Sequence, residues 1–136
     1  MIAILCLLLV MLLSSGCSPW WLKPRMIKYY SDDSNYEEVD CQITNCWLSH
    51  GYWQFTANIL TANHHLEDSH HGKYFFTVRS EIPVELSVDD LLTIITAGHT
   101  YYLNWYFPVV QIKKGEETVL AFEQGKQDLL AWIEDF

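Results

Sequence analysis

Val39-Asp40-Cys41-Gln42-Ile43-Thr44 and, past Gly51, Trp53-Gln54-Phe55-Thr56-Ala57-Asn58-Ile59 decide the architecture. In the first stretch Val39, Cys41 and Ile43 alternate with polar Asp40, Gln42 and Thr44, the period-two pattern of a half-buried strand. In the second, Trp53, Phe55, Ala57 and Ile59 alternate in the same way, and Gly51 between them marks a turn. The pair predicts a β-hairpin with one apolar face.

Strand signals continue outward from the hairpin. Tyr74 to Val78 reads as a third strand, and Pro83 breaks the next stretch. Ser87 followed by Asp89-Asp90-Leu91-Leu92 predicts a capped helical turn. Thr93 to Thr96 is a short β-branched strand ended by Gly98. Tyr101 to Ile112 predicts another strand, with Pro108 at an edge or a bulge because it cannot donate to a ladder. Lys113-Lys114-Gly115-Glu116 reads as a hairpin turn and Thr118 to Phe122 as its return. The period then changes: Leu129, Ile133 and Phe136 fall at helical spacing, with Leu130 and Trp132 flanking them and Gly125 near the helix start. Short strands must have their edges closed or covered. The expected fold is mainly β: a small OB-like or SH3-like barrel of five to six strands with a C-terminal helix.

At 136 residues the chain has room for one modest core. Six Trp and eight Tyr supply large rings to fill it. The formal net charge is −9, which argues against nucleic acid, since phosphate binding needs a basic surface. The charge is uneven. Lys23, Arg25 and Lys28 precede every acidic residue; the remaining five basic residues face all seventeen acidic ones, a net of −12. A basic stem suits an anionic membrane surface, and an acidic body suits solvation.

The first thirteen residues, MIAILCLLLVMLL, are uncharged and end in Ser14-Ser15-Gly16-Cys17. The run is short for a spanning helix, which needs about 20 residues, and fits the apolar region of a secretory signal followed by small residues at a cleavage site. Leu13-Ser14-Ser15-Gly16-Cys17 resembles the lipobox of bacterial lipoproteins, with Ser14 in the place where Leu is commonest. That resemblance implies a diacylglyceryl group on the Cys17 thiol and cleavage before it. Two acyl chains hold a protein stably where one does not. The division expected is residues 1–16 as signal peptide, 17–35 as lipidated cysteine and membrane-proximal stem and loop, and 36–136 as the barrel domain with its helix. Trp20 and Trp21 then either sit at the headgroup interface, which suits Trp, or pack on the domain.

The body resembles a group of small uncharacterised lipoproteins of Firmicutes. The likeness lies in Tyr29-Tyr30-Ser31, Asn35-Tyr36, Pro108-Val109-Val110 and Leu120-Ala121-Phe122-Glu123-Gln124-Gly125-Lys126 with Leu129-Leu130 and Trp132. It implies an extracytoplasmic β domain, lipid-anchored at the cell membrane. The stretch before the last hairpin carries more Gly in that group; here it is aromatic.

Cys6 leaves with the signal and Cys17 takes the lipid, so Cys41 and Cys46 remain. Five residues along one strand span roughly 16 Å and place the two side chains on opposite faces, beyond the roughly 4.4–6.8 Å between Cα atoms that a bridge needs. Two unpaired cysteines are expected, with Cys41 buried beside Val39 and Ile43.

Two candidate sites stand out. His64, His65, His70 and His71 share a loop with Glu67 and Asp68, and neutral imidazoles with carboxylates are ligands for Zn or Cu. Adjacent His residues on a strand point apart, and no HxxxH or finger spacing is present. The alternative for this loop is a polar hairpin that gains charge as pH falls below about 6.5. The second site is aromatic: Tyr102, Trp105 and Tyr106 would form a stacking platform for a glycan or peptide, or else fill the core and pack under the helix. The paired acids Asp32-Asp33, Glu37-Glu38, Asp89-Asp90 and Glu116-Glu117 read as solvated surface, and no GxSxG, Walker or GxGxxG motif occurs. The expectation is a binding module for a protein, peptide or glycan rather than an enzyme, with a metal-binding lipoprotein as the alternative.

Overall fold

The computed structural model describes residues 22–67, 73–98, 103 and 105–135. Helix α1 (Leu22–Ser31) and a 3-10 turn (Asp33–Asn35) lead into β1 (Tyr36–Ser49), β2 (Tyr52–Ile59), β3 (Tyr74–Val78), β4 (Leu91–Ala97), β5 (Tyr106–Lys114), β6 (Glu117–Leu120) and helix α2 (Phe122–Glu134). The long β1 pairs antiparallel with β4 along its first half and with β2 along its second. β3 pairs with β2, β5 with β4, and a parallel β3–β5 pairing closes the ring. The order β1-β2-β3-β5-β4-β1 is a closed five-stranded mixed barrel, and β6 extends β5 beyond it. Of the two barrels expected, this Greek-key closure is the OB-like one. The first hairpin turns at His50-Gly51, whose φ values of 52° and 84° are both left-handed, as a two-residue turn of the strand-matching hand requires.

Two bulges let single strands serve different neighbours. In β1 the register shifts between Ile43 and Asn45, so Thr44 is the extra residue. Val39, Cys41 and Ile43 point into the barrel before it and Cys46 after it, a switch from odd to even positions. In β5 the shift falls opposite Ile95/Thr96 and leaves Val110 as the extra residue: Phe107 and Val109 face inward, then Ile112. Pro108 is therefore beside a bulge but inside a strand paired on both edges, and its carbonyl accepts from Thr96 Oγ1 at 2.7 Å.

Burial is layered. The barrel interior holds Phe55, Phe76 and Phe107 with the aliphatic residues of every strand, Phe55 and Phe76 stacked at 5.1 Å. A second cluster lies outside the wall, where Met26, Tyr30, Leu129 and Ile133 of the two helices cover Ala97 and Val110. α2 thus lays its apolar stripe on the sheet, as expected, and crosses β5 at Gly125. A Cβ there would overlap the backbone of Val110, so only glycine allows the approach.

Two local readings change. Residues 22–31, read as part of a stem and loop, form α1. Met26 and Tyr30 are 1% and 0% exposed against α2, so this stretch gains its helix from tertiary burial rather than from propensity. Ser87 does not cap a helical turn. Its N–H donates to Asp90 Oδ2 at 2.9 Å, Asp89 takes φ 71°, and Asp89 and Asp90 bond Ile43 of β1. The backbone groups that a helix would use are already taken by the barrel.

Candidate functional site

Where β3 leaves the barrel, Val78 points inward and Arg79 outward toward α2. The helix presents Gln124, Asp128, Ala131 and Asp135 along one flank, at the i, i+4, i+7, i+11 spacing of a single helical stripe. Between that flank and the barrel lies a cleft of about 490 Å³, lined also by Tyr52, Ser80, Glu81 and Trp132. Tyr52 opens β2, directly after the His50-Gly51 turn that fixes its direction.

Arg79 is the centre of the arrangement. Its guanidinium carbon lies 4.2 Å from the centroid of the Trp132 ring and 5.2 Å from that of Tyr52. Each such contact is favourable by about 0.5–2 kcal/mol depending on desolvation. Burial lowers the guanidinium's pKa, with Tyr52 and Tyr106 opposing the shift, and the group stays charged at neutral pH. Nε has no hydrogen-bond partner among the described residues, nor does Ser80 Oγ, on a residue only 4% exposed. No carboxylate among the described residues pairs with Arg79, although three line the same cleft. Buried polar groups left unpaired are costly, which makes Arg79 Nε and Ser80 Oγ unusual among the polar atoms described.

Only some of the residues singled out in the sequence lie among those described. Cys17, His70, His71 and Tyr102 lie outside the described residues. His64 sits edge-on to Tyr74 at 5.6 Å, and its Nδ1 accepts from the Leu66 N–H. His65 is exposed, its Nδ1 3.5 Å from Glu37 Oε2 while its N–H donates to the same carboxylate. The two histidines therefore do not share a focus, and no group of three metal-ligating side chains occurs among the described residues. Trp105 is 55% exposed with φ 80°, whereas Tyr106 packs edge-on to Phe75 at 5.6 Å within the outer cluster.

Cys41 and Cys46 are both free. Cys41 is fully buried, and burial first, then Asp40, pushes its thiol up to about 12. Cys46 donates to Leu86 O at 3.3 Å, and burial likewise raises its pKa. Neither has the lowered pKa of a reactive thiol.

Sequence reasoning placed Trp132 only as a helix flank and passed over Arg79 and Tyr52. One signal was available: Arg79 is the single arginine after the stem, in a body of net charge −12. The class that fold and cleft define is an OB-like barrel with an arginine-centred, ring-walled cleft under its C-terminal helix. Comparison with family models, with characterised proteins and with solved structures found no match to the chain.

Proposed function

We propose that the chain is a lipid-anchored extracytoplasmic binding module that offers the Arg79 cleft to a protein, peptide or glycan partner and performs no chemistry of its own. The observation that carries this reading is the cleft itself: a guanidinium held against two rings, with carboxylates on the facing wall that it does not meet. A cleft of this size, walled by two rings and otherwise lined by polar and charged groups, suits a small polar ligand or a polar stretch of a larger partner. The acidic balance of the body disfavours nucleic acid. The anchor rests on the apolar leader, on Cys17 after small residues, and on the lipobox likeness. No helix among the described residues is long and apolar enough to cross a membrane. With α1 starting five residues after Cys17, the tether reaches at most about 18 Å, so the barrel is held close to the bilayer.

Two measurements test the two halves. The intact mass of membrane-extracted protein should begin at Cys17 and carry a diacylglyceryl group that a Cys17→Ala variant lacks; an intact leader, or a soluble lipid-free product, refutes the anchor. Peptide and glycan arrays probed with the detergent-solubilised chain should show binding that Trp132→Ala abolishes. Binding that survives this change, or none on either array, refutes the cleft as the binding site.

A further inference from the structure

The cleft carries charges of both signs that do not meet. Arg79 stands on the barrel side, stacked and without an ion pair among the described residues. Asp128 and Asp135 stand on α2, and Glu81 follows Arg79 by two residues. Asp128 accepts a hydrogen bond from Gln124 Nε2 at 2.8 Å, and none of the three carboxylates is in an ion pair among the described residues. Opposite charges lining one cavity without contact leave room between them.

From this separation we infer that the cleft binds a zwitterion, namely an amino acid or short peptide with free ammonium and carboxylate groups. The carboxylate lies against the Arg79 guanidinium on the barrel side of the cleft. The ammonium lies toward Asp128, Asp135 and Glu81. Tyr52 and Trp132 flank the apolar part and keep water from the guanidinium, which strengthens its hold on a carboxylate. A simple anion is a poorer occupant, because one cation in the lining faces three acids. A simple cation is poorer too, because it leaves Arg79 without a counter-charge. A neutral sugar meets the hydrogen bonds but neither charge.

This inference rests on the reading of the cleft as a binding site, and its test separates the two. The full chain in detergent is titrated calorimetrically with the dipeptide Ala-Phe, its N-acetyl form, its C-terminal amide, and the neutral disaccharide chitobiose. Ala-Phe is expected to bind, and each cap to weaken binding about tenfold to a hundredfold, the loss of one charge-assisted contact. Arg79→Met should remove the discrimination between acid and amide, Arg79→Lys should keep part of it, and Asp128→Asn should reduce the discrimination against the acetylated form. Melting curves of the variants check that they fold. Capped and free dipeptides binding equally overturns the inference, as does chitobiose binding while Ala-Phe does not; in both cases a Trp132-dependent ligand leaves the binding-module reading intact. No binding by any probe, together with blank arrays, sinks both.

Discussion

Replacing Gly125 with alanine tests how closely α2 lies on the barrel, and with it the wall of the cleft. An added Cβ would lie 2.7 Å from Val110 Cα and nearer still to that residue's carbonyl carbon and oxygen. Carbon contacts settle at about 3.5–4.0 Å, so the helix must withdraw by roughly 1 Å. A gap of about 0.5–1 Å forfeits a quarter to a half of the dispersion energy across it. Leu129 and Ile133 pack with Val110 in the outer cluster, at 1% and 0% exposure. Full burial of such a side chain contributes about 1.5–3 kcal/mol, so the partial loss for two comes to about 1–3 kcal/mol. Alanine recovers about 1 kcal/mol through helix propensity. The net expectation is a loss of up to about 2 kcal/mol, a fall in Tm of up to roughly 8 °C. Urea and thermal unfolding followed by circular dichroism measure it, with Gln127→Ala on the exposed face of the same helix as the propensity control. A Gly125→Ala protein more stable than wild type by the full propensity gain of about 1 kcal/mol would refute the close crossing, because the fold as described has no space for the methyl group.

Cys41 gives an alkaline signature. Its thiol is neutral in both states below about pH 9, where the stability linked to its proton is fully present. Above that the unfolded chain ionises first, so stability falls as pH rises through the folded value of about 12. Cys41→Ala should flatten this part of the stability–pH curve, and an unchanged slope would remove Cys41 as its source. Thr77 is 1% exposed and its Oγ1 has no partner among the described residues. Thr77→Val should therefore raise stability by about 1 kcal/mol in urea unfolding; a loss would mean that the hydroxyl is bonded after all. Zinc titration of the loop at His64 and His65 should give a Kd weaker than about micromolar, and tighter stoichiometric binding would mean that His70 and His71 complete a site there.

The barrel was legible because its inward residues alternate: Val39, Cys41 and Ile43, then Phe55 and Ala57, need only a period count to be read as two faces. The Gly115-Glu116 turn and the α2 stripe were legible for the same local reason. The parallel β3–β5 closure was not, because it depends on residues 75–78 meeting 106–109 across the whole chain, and no local pattern encodes that meeting. α1 was missed because its helix is fixed by Met26 and Tyr30 docking on α2, a contact nearly the length of the chain away. The cleft was missed for a related reason. Histidines in a row are conspicuous in a sequence, while Tyr52, Arg79 and Trp132 are far apart in it and become a site only when the barrel closes and the helix lies down. Local richness in one residue type pointed to the loop, while the cleft is assembled from residues that no local pattern joins.

The helical stem changes what the anchor has to achieve. Of its three cations, Lys23 is turned inward: its Nζ donates to Glu134 O at 2.8 Å, at the negative pole of the α2 dipole, where a cation is favoured. Arg25 and Lys28 remain exposed. Each basic residue near an anionic bilayer contributes about 1 kcal/mol, too little from two of them to hold a body of charge −12. Under the proposed anchor, attachment therefore depends on the two acyl chains, and the stem's work is geometric. α1 is ten residues long, about 15 Å of helix, and it is packed against α2, the element that forms one wall of the cleft. A flexible linker would let the barrel turn freely above the membrane. A helix buried on α2 fixes the cleft's attitude relative to Leu22, the point at which the proposed tether meets the folded domain.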